Sequence, residues 1–306
     1  MNRILYSLVG YLLLPILIIR LLVKSIKAPE YRQRISERLG FIDSIPVSII
    51  WVHCVSVGEF RASITLIDKL INQYPNHRIL VSSSTPNGSN AINQHYGKKV
   101  LHLYFPFDLG FVVSRYINKI KPDLCLLMET EIWPNLIHAL NKKDIPTLLV
   151  NARLSQRSLE KYKKFAPNLA QHTLNKLNII ATQNQNSANR FIELGADTSK
   201  VVMSGNIKFD QNPSANKALT KKIKTLIGKR KVVVFASTHK GEEQQIISAY
   251  LKQKNTIDAL LVIIPRHPER FNEVYKLAQK HSLNVIKRSS NKSCQDCELL
   301  LGDSMG

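Results

Sequence analysis

Acidic side chains are scarce in this chain: 22 Asp and Glu stand against 43 Lys and Arg in 306 residues, a formal charge of +21. Such an excess attracts polyanions, whether nucleic acid, anionic lipid headgroups or phosphorylated small molecules. Cysteine is scarce too, with four in all. Cys54 and Cys125 lie inside apolar runs and read as buried small hydrophobes. Cys294 and Cys297 have the spacing of a zinc or redox pair, but no second CxxC follows to complete a zinc site. This usage fits a reducing compartment. There is no repeat at a solenoid period and no low-complexity tract, so neither a repeat array nor a disordered chain fits. What remains is a globular composition, 44% hydrophobic, long enough for one large domain or two of ordinary size.

Charge is absent altogether from Ile4 to Ile19, and Leu21, Leu22 and Val23 follow Arg20. That is close to the minimum apolar length that crosses a bilayer, with Pro15 expected to kink it and Arg20 to snorkel toward headgroups. No small-x-small cleavage site follows; Lys24 and Lys27 do, which argues against a removed signal peptide. Lys24, Lys27, Arg32, Arg34 and Arg38 after the run, against Arg3 before it, orient the body toward the cytoplasm. Residues 1–24 are therefore read as a membrane anchor, either spanning or lying in the interface, with anionic lipid facing the basic excess.

Beyond the anchor, apolar strand-like runs alternate with amphipathic stretches. Strands are expected at 48–57, 77–85, 99–108, 123–131, 147–153, 178–184 and 200–206. A polar stretch around Gln211–Lys222 reads as a linker, after which strands recur at 231–238, 259–268 and 283–290. Short apolar strands separated by helices imply parallel sheets with right-handed crossovers. The inferred architecture is α/β: a Rossmann-like domain over 25–210, a second over 211–306, and a cleft between them. Ligands in such folds bind at the carboxyl ends of strands.

The notable polar residues fall at those ends. Ser56-Val57-Gly58-Glu59 closes the first strand and opens a helix; Gly58 permits a tight turn, and Glu59 either serves the helix dipole or a site. Thr85-Pro86-Asn87-Gly88-Ser89 is a similar turn, whose NH groups cap a helix or hold an anion. Glu129 and Glu131, directly after a buried strand and beside Trp133, need either a site or a paired cation. Asn151-Ala152-Arg153 and Gly205-Asn206-Ile207-Lys208 also end strands, with loop capping as the plain explanation. In the second half Ser237, Thr238 and His239 occupy the place where phosphates meet a helix, and Arg266 and His267 follow the next strand as cations for a phosphate or carboxylate.

Read together, KAPEYRQRISERLGF, VSVGE, TPNGS, METEIWPN, NARLSQRS, GNIKFD, STHKGEE, PRHPERF and the terminal GDSMG resemble the Kdo (3-deoxy-D-manno-octulosonic acid) transferases of lipopolysaccharide synthesis, in order and along essentially the whole chain. The resemblance implies a GT-B fold, CMP-Kdo as donor, a lipid A precursor (lipid IVA) as acceptor, and inversion at the anomeric carbon. It implies Glu59 as general base, and Glu129 and Lys208 as transition-state stabilisers. Arg266 and His267 would hold CMP, with Ser237, Thr238, His239, Met305 and Gly306 also lining the donor. It implies no cofactor and no metal, and no Asp-x-Asp pair occurs. The basic residues are scattered or near the anchor and match no nucleic-acid-binding module, so no nucleic-acid partner is expected. The sequence ends at Gly306 inside the family's (S/T)MGE motif, so an incomplete second sheet with a bare edge is expected. The competing reading is a truncated remnant that binds lipid or nucleotide without catalysis.

Overall fold

The computed structural model describes residues 1–210, 217–254, 256 and 258–304. The chain divides into two compact units, Met1–Asn212 and Pro213–Gly306.

The first unit carries helices α1 (Arg3–Lys27), α2 (Ile35–Arg38), α3 (Val57–Gln73), α4 (Pro86–Tyr96), α5 (Gly110–Ile120), α6 (Pro134–Asn141), α7 (Gln156–Phe165), α8 (Pro167–Leu174) and α9 (Gln185–Glu193). Between them run strands β1 (Ile49–His53), β2 (Arg78–Ser83), β3 (Leu101–Tyr104), β4 (Leu124–Met128), β5 (Thr147–Ala152), β6 (Ile179–Thr182) and β7 (Val201–Met203). All neighbours pair in parallel, in the order β3-β2-β1-β4-β5-β6-β7. The order reverses between β1 and β4, so the crevice-forming switch point of the doubly wound sheet lies where those two strands end.

The period-2 alternation of the strands builds the core. In β1, Ile49 and Trp51 enter one apolar cluster with Tyr116, Ile117, Leu136 and Phe191, while Ile50 and Val52 enter another with Phe60, Ile67 and Ile92. In β4, Cys125 and Leu127 face the first cluster and Leu126 and Met128 the second. Helices therefore cover both faces, and each buried aliphatic or aromatic side chain contributes roughly 1.5–3 kcal/mol. Cys54 and Cys125 are fully buried, as their apolar surroundings predict.

Helix α1 is continuous through Pro15 and is the one helix among the described residues that is long and apolar enough to cross a membrane. Its first turns are nevertheless tied to the body. Tyr6 donates to Asp108 Oδ2 at 3.0 Å, Ser7 to Asn135 Oδ1 at 2.9 Å, and Tyr11 stacks on Phe111. Asp108 in turn accepts from the backbone N–H of Asn135 and of Leu136, at 3.1 and 2.7 Å, and so closes the start of α6.

The second unit holds α10 (Lys217–Ile227), β8 (Lys231–Thr238), α11 (Glu242–Gln253), β9 (Ala259–Pro265), α12 (Phe271–Lys280), β10 (Val285–Lys287) and β11 (Leu299–Leu301). Its parallel sheet has the order β10-β11-β9-β8. β8 is an edge strand whose Val232, Val233, Val234 and Phe235 remain exposed. The expected linker is partly helix: 217–222 begins α10, and the remainder lies outside the described residues. Cys294 and Cys297 are buried against Leu260, Val262 and Leu300, and Arg230 Nη1 donates to both of their carbonyls. They pack as core, as the absence of further ligands suggests.

Candidate functional site

Ser56 ends the extended backbone after β1 and caps α3; its Oγ accepts from Glu59 N–H. Glu59 answers from the third helical position. Its Oε2 accepts from Val55 N–H at 2.8 Å, and Ser56 Oγ donates to its Oε1 at 3.2 Å. This is a capping box shifted by one residue, and it fixes the carboxylate at the carboxyl end of β1. Gly58, expected to permit a tight turn, has no left-handed backbone, and a Cβ there would meet nothing closer than Ser56 Oγ at 3.8 Å. The helix start does not require glycine; the bare Cα leaves the surface beside Glu59 open. Gly88 is different, because a side chain there would collide with Ser83 Oγ and Thr85 Oγ1. Ser83 Oγ also donates to Val55 O at 3.1 Å, which ties this second turn to the loop that holds Glu59.

Glu129 follows β4, beside β1 in the sheet, in left-handed backbone (φ 60°). The same conformation recurs after β5 begins to end, at Asn151 (φ 55°), and at Ser237 on β8 (φ 61°). None is glycine, so each is a locally strained position at a strand end, where function concentrates. Glu129 is buried and its Oε2 accepts from Arg153 Nε at 2.7 Å. The paired cation that the buried Glu129 requires is thus supplied from the end of β5. Among the described residues Glu131 has no such partner. Its Oε2 accepts from Trp133 Nε1 at 2.7 Å, and His53 Nε2 lies 3.9 Å away. His53 is fully buried and stacked on Phe105, and burial pushes its pKa down to about 3. The imidazole is therefore neutral at pH 7, and this contact is not an ion pair.

Of the three carboxyl groups gathered here, Glu129 is bonded to the Arg153 guanidinium and Glu59 feels its charge, while Glu131 is raised by burial and by its acidic neighbours. Burial, and then Glu59 and Glu129, raise the Glu131 pKa to about 7. Glu59 is also raised, by burial first and against the hydrogen bond from Val55, with Glu129 adding to the rise. A group raised this way in the folded state favours folding while it is protonated there. Its contribution is present below the unfolded value of 4.5 and is lost as pH climbs through about 7. The stability difference between wild type and Glu131→Gln should accordingly fall by on the order of 1–2 kcal/mol over that window, discounted for partial solvation. Urea midpoints at several pH values check this, and parallel curves for the two proteins would contradict it.

Lys208 lies in a 3-10 helix, Ile207–Asp210. Asn151 Oδ1 accepts from Ile207 N–H at 3.2 Å, Ile207 packs against the cluster containing Phe60, and the segment rests on α3. The exposed Lys208 is therefore carried on a support shared with Glu59. Asn151 is 1% exposed and its Nδ2 has no hydrogen-bond partner among the described residues, so there this supporting residue keeps an unused buried donor.

In the second unit Thr238 closes β8 and donates to Glu243 Oε1 at 2.7 Å; Arg270 grips the same buried carboxylate with two bonds of 2.8 and 2.9 Å. Burial pushes Glu243 up, but the bonds from Arg270 and Thr238 outweigh it and hold the group below its ordinary value. Thr238 hydroxyl is thus committed to the scaffold. Ser237 and His239 are exposed on either side of it. Arg266 N–H donates to Thr238 O at 3.1 Å, and the His239 and His267 rings meet edge to face at 5.9 Å. The structure therefore brings Glu59 and Glu129 together in the first unit, with exposed Lys208 on a segment packed against α3, and gathers Ser237, Thr238, His239, Arg266 and His267 in the second. Met305 and Gly306 lie outside the described residues.

Residues 33–211 match the family described as 3-deoxy-D-manno-octulosonic-acid transferase (kdotransferase). The chain is also 40% identical to 3-deoxy-D-manno-octulosonic acid transferase from Haemophilus influenzae, over 92% of this chain and 67% of that protein. It belongs to the Kdo transferase family. A bifunctional glycosyltransferase/methyltransferase from Fusobacterium nucleatum is 36% identical over 89% of this chain, which spans 43% of that relative. Among solved structures, UDP-GlcNAc 2-epimerase from Neisseria meningitidis superimposes with a TM-score of 0.58 at 12% identity, covering 85% of this chain and 72% of that one. A glycosyltransferase from Rickettsia africae gives 0.52 at 13% identity, covering 85% and 69%. At these identities the likeness concerns fold alone. It agrees with the parallel α/β sheets and with the expected GT-B class of a Kdo transferase. Arg153, read from sequence only as loop capping, is the residue the structure adds beside Glu129.

Proposed function

We propose that the protein transfers Kdo from CMP-Kdo to a lipid A precursor, lipid IVA, with inversion, at the cytoplasmic face of the inner membrane, α1 being its anchor. The observation that supports this most is Glu59, a carboxylate fixed at the switch point of the first sheet and raised in pKa by its burial. A base whose pKa is drawn toward neutrality removes a hydroxyl proton more effectively. Glu59 takes the proton of the acceptor hydroxyl as its oxygen attacks the anomeric carbon; the bond from that carbon to the phosphate oxygen breaks, and CMP leaves with the electron pair. Glu129, steadied by Arg153, presents negative charge to the cationic character that grows on the sugar. Lys208 offsets the charge on the departing phosphate or on the sugar carboxylate. Arg266 and His267 hold CMP, with Ser237, Thr238, His239, Met305 and Gly306 as further donor contacts. Because the Thr238 hydroxyl is engaged with Glu243, its part is to shape the turn.

Purified protein given CMP-Kdo and the lipid acceptor should release CMP, and release should cease when the acceptor is omitted. No acceptor-dependent release, with folding confirmed by a cooperative melt, would rule out the transfer and favour a chain that only binds lipid or nucleotide.

A further inference from the structure

The foot of α1 forms one wall of a cavity of about 400 Å³ lined by Arg3, Pro134, His138, Leu169, His172 and Lys176, among others. No carboxylate lines it, and the helices around it, α1, α6 and α8, contain no Asp or Glu. In a chain with 22 acids this leaves four cationic or protonatable side chains facing a space that no carboxylate lines, Arg3 alone of them sensing a buried acid behind it, Asp108. Arg3 is held there through Nη1, which donates to Asn135 Oδ1 at 3.3 Å. His172 Nδ1 is engaged with Asn168 O at 2.7 Å, so its Nε2 is the ring atom left for a ligand. His138 is held below its ordinary value by burial and then by Arg3, Lys176 and Lys142, the mark of crowded positive charge.

A second cavity of about 390 Å³ adjoins the first, since Pro134 and Leu169 line both. It is lined mainly by apolar and aromatic groups, including Tyr6, Ile132, Trp133 and Tyr162, and reaches Thr130 and Glu131. A cationic chamber, an apolar trough and a carboxyl group thus follow one another along one face of the first unit, beside the exposed apolar side chains of α1. The sequence suits an amphiphile whose anion enters the chamber.

We propose that the chamber of Arg3, His138, His172 and Lys176 binds the phosphate monoester of an acyl-chain lipid, the trough taking the adjoining apolar part. That this lipid is the transfer acceptor rests on the function proposed above; its binding does not. A monoester carries up to two negative charges and three terminal oxygens, which fork and point cations can share.

The test uses the full chain without donor sugar, so its failure leaves the transfer reading standing. Vesicles of phosphatidylcholine are doped with phosphatidic acid, a monoester, or with phosphatidylglycerol, a diester, at matched surface charge. The protein should bind the monoester vesicles roughly tenfold more tightly, the worth of one or two charge-assisted hydrogen bonds. The His172→Ala/Lys176→Ala double variant should lose that margin while keeping the weaker binding to phosphatidylglycerol. Both side chains are at least partly exposed, so the fold survives their removal. Short-chain phosphatidic acid should displace the protein at far lower concentration than inorganic phosphate. Equal binding to the two vesicles, no loss in the double variant, or inorganic phosphate competing as well as the lipid would each overturn the proposal.

Discussion

Glu59→Gln lowers acceptor-dependent CMP release by roughly 10²-fold or more and leaves CMP-Kdo binding close to wild type, if Glu59 is the base. The substitution is suited to the question because it separates basicity from structure. A glutamine carbonyl still accepts from Val55 N–H, and its amide still reaches Ser56 Oγ, so the start of α3 stays closed. What it removes is the basicity that lets the group take a proton. The experiment compares single-turnover rates and donor affinity in the same preparation. A variant with near-normal turnover would exclude Glu59 from proton transfer, and one that loses donor binding in proportion to rate would mark it as a binding group instead.

Asp108→Ala destabilises the first unit by about 3 kcal/mol, because several donors lose one charged acceptor at once. The side chain is 9% exposed and receives Asn135 N–H, Leu136 N–H and Tyr6 O–H, while its carbonyl receives Asn135 Nδ2. Burial drives its pKa up to about 6, yet the donors keep it largely ionised at neutral pH. Removing it uncaps α6 and frees the first turns of α1 together. Chemical denaturation should report the loss, and faster proteolysis at the amino end should accompany it. Tyr6→Phe, which removes only one of these bonds, should lose about 1 kcal/mol. An Asp108→Ala midpoint equal to wild type would contradict the joint role.

Strand positions were legible because buried parallel strands are written as β-branched and leucine-rich runs with sharp polar ends. β8 occupies 231–238, the range its composition marks. The expected strand at 283–290 shrinks to Val285–Lys287, since Lys287 and Arg288 leave nothing further to bury. β11 has only three residues, too few for a period to declare itself. α10 was concealed by lysines, although Leu219, Ile223 and Leu226 stand on one helical face. At the site, Glu59 and Glu129 could be picked out by their place after strands. The pairing of Glu129 with Arg153 could not, because 24 residues separate them and only the adjacency of β4 and β5 brings them together. The proton affinity of Glu131 is equally a product of assembly, arising from burial and from two neighbours that different strands deliver.

The box at the head of α3 gives its carboxylate a front and a back. Oε2 is engaged with the Val55 amide, whereas Oε1 meets only the Ser56 hydroxyl, at the longer distance of 3.2 Å, and a hydroxyl can rotate away. A proton arriving at Glu59 therefore finds Oε1 the less engaged of the two oxygens. If Glu59 is the base, the open side past Ser56 and the bare Cα of Gly58 is the approach its freer oxygen offers to an alcohol, a handed entrance set by the fold alone.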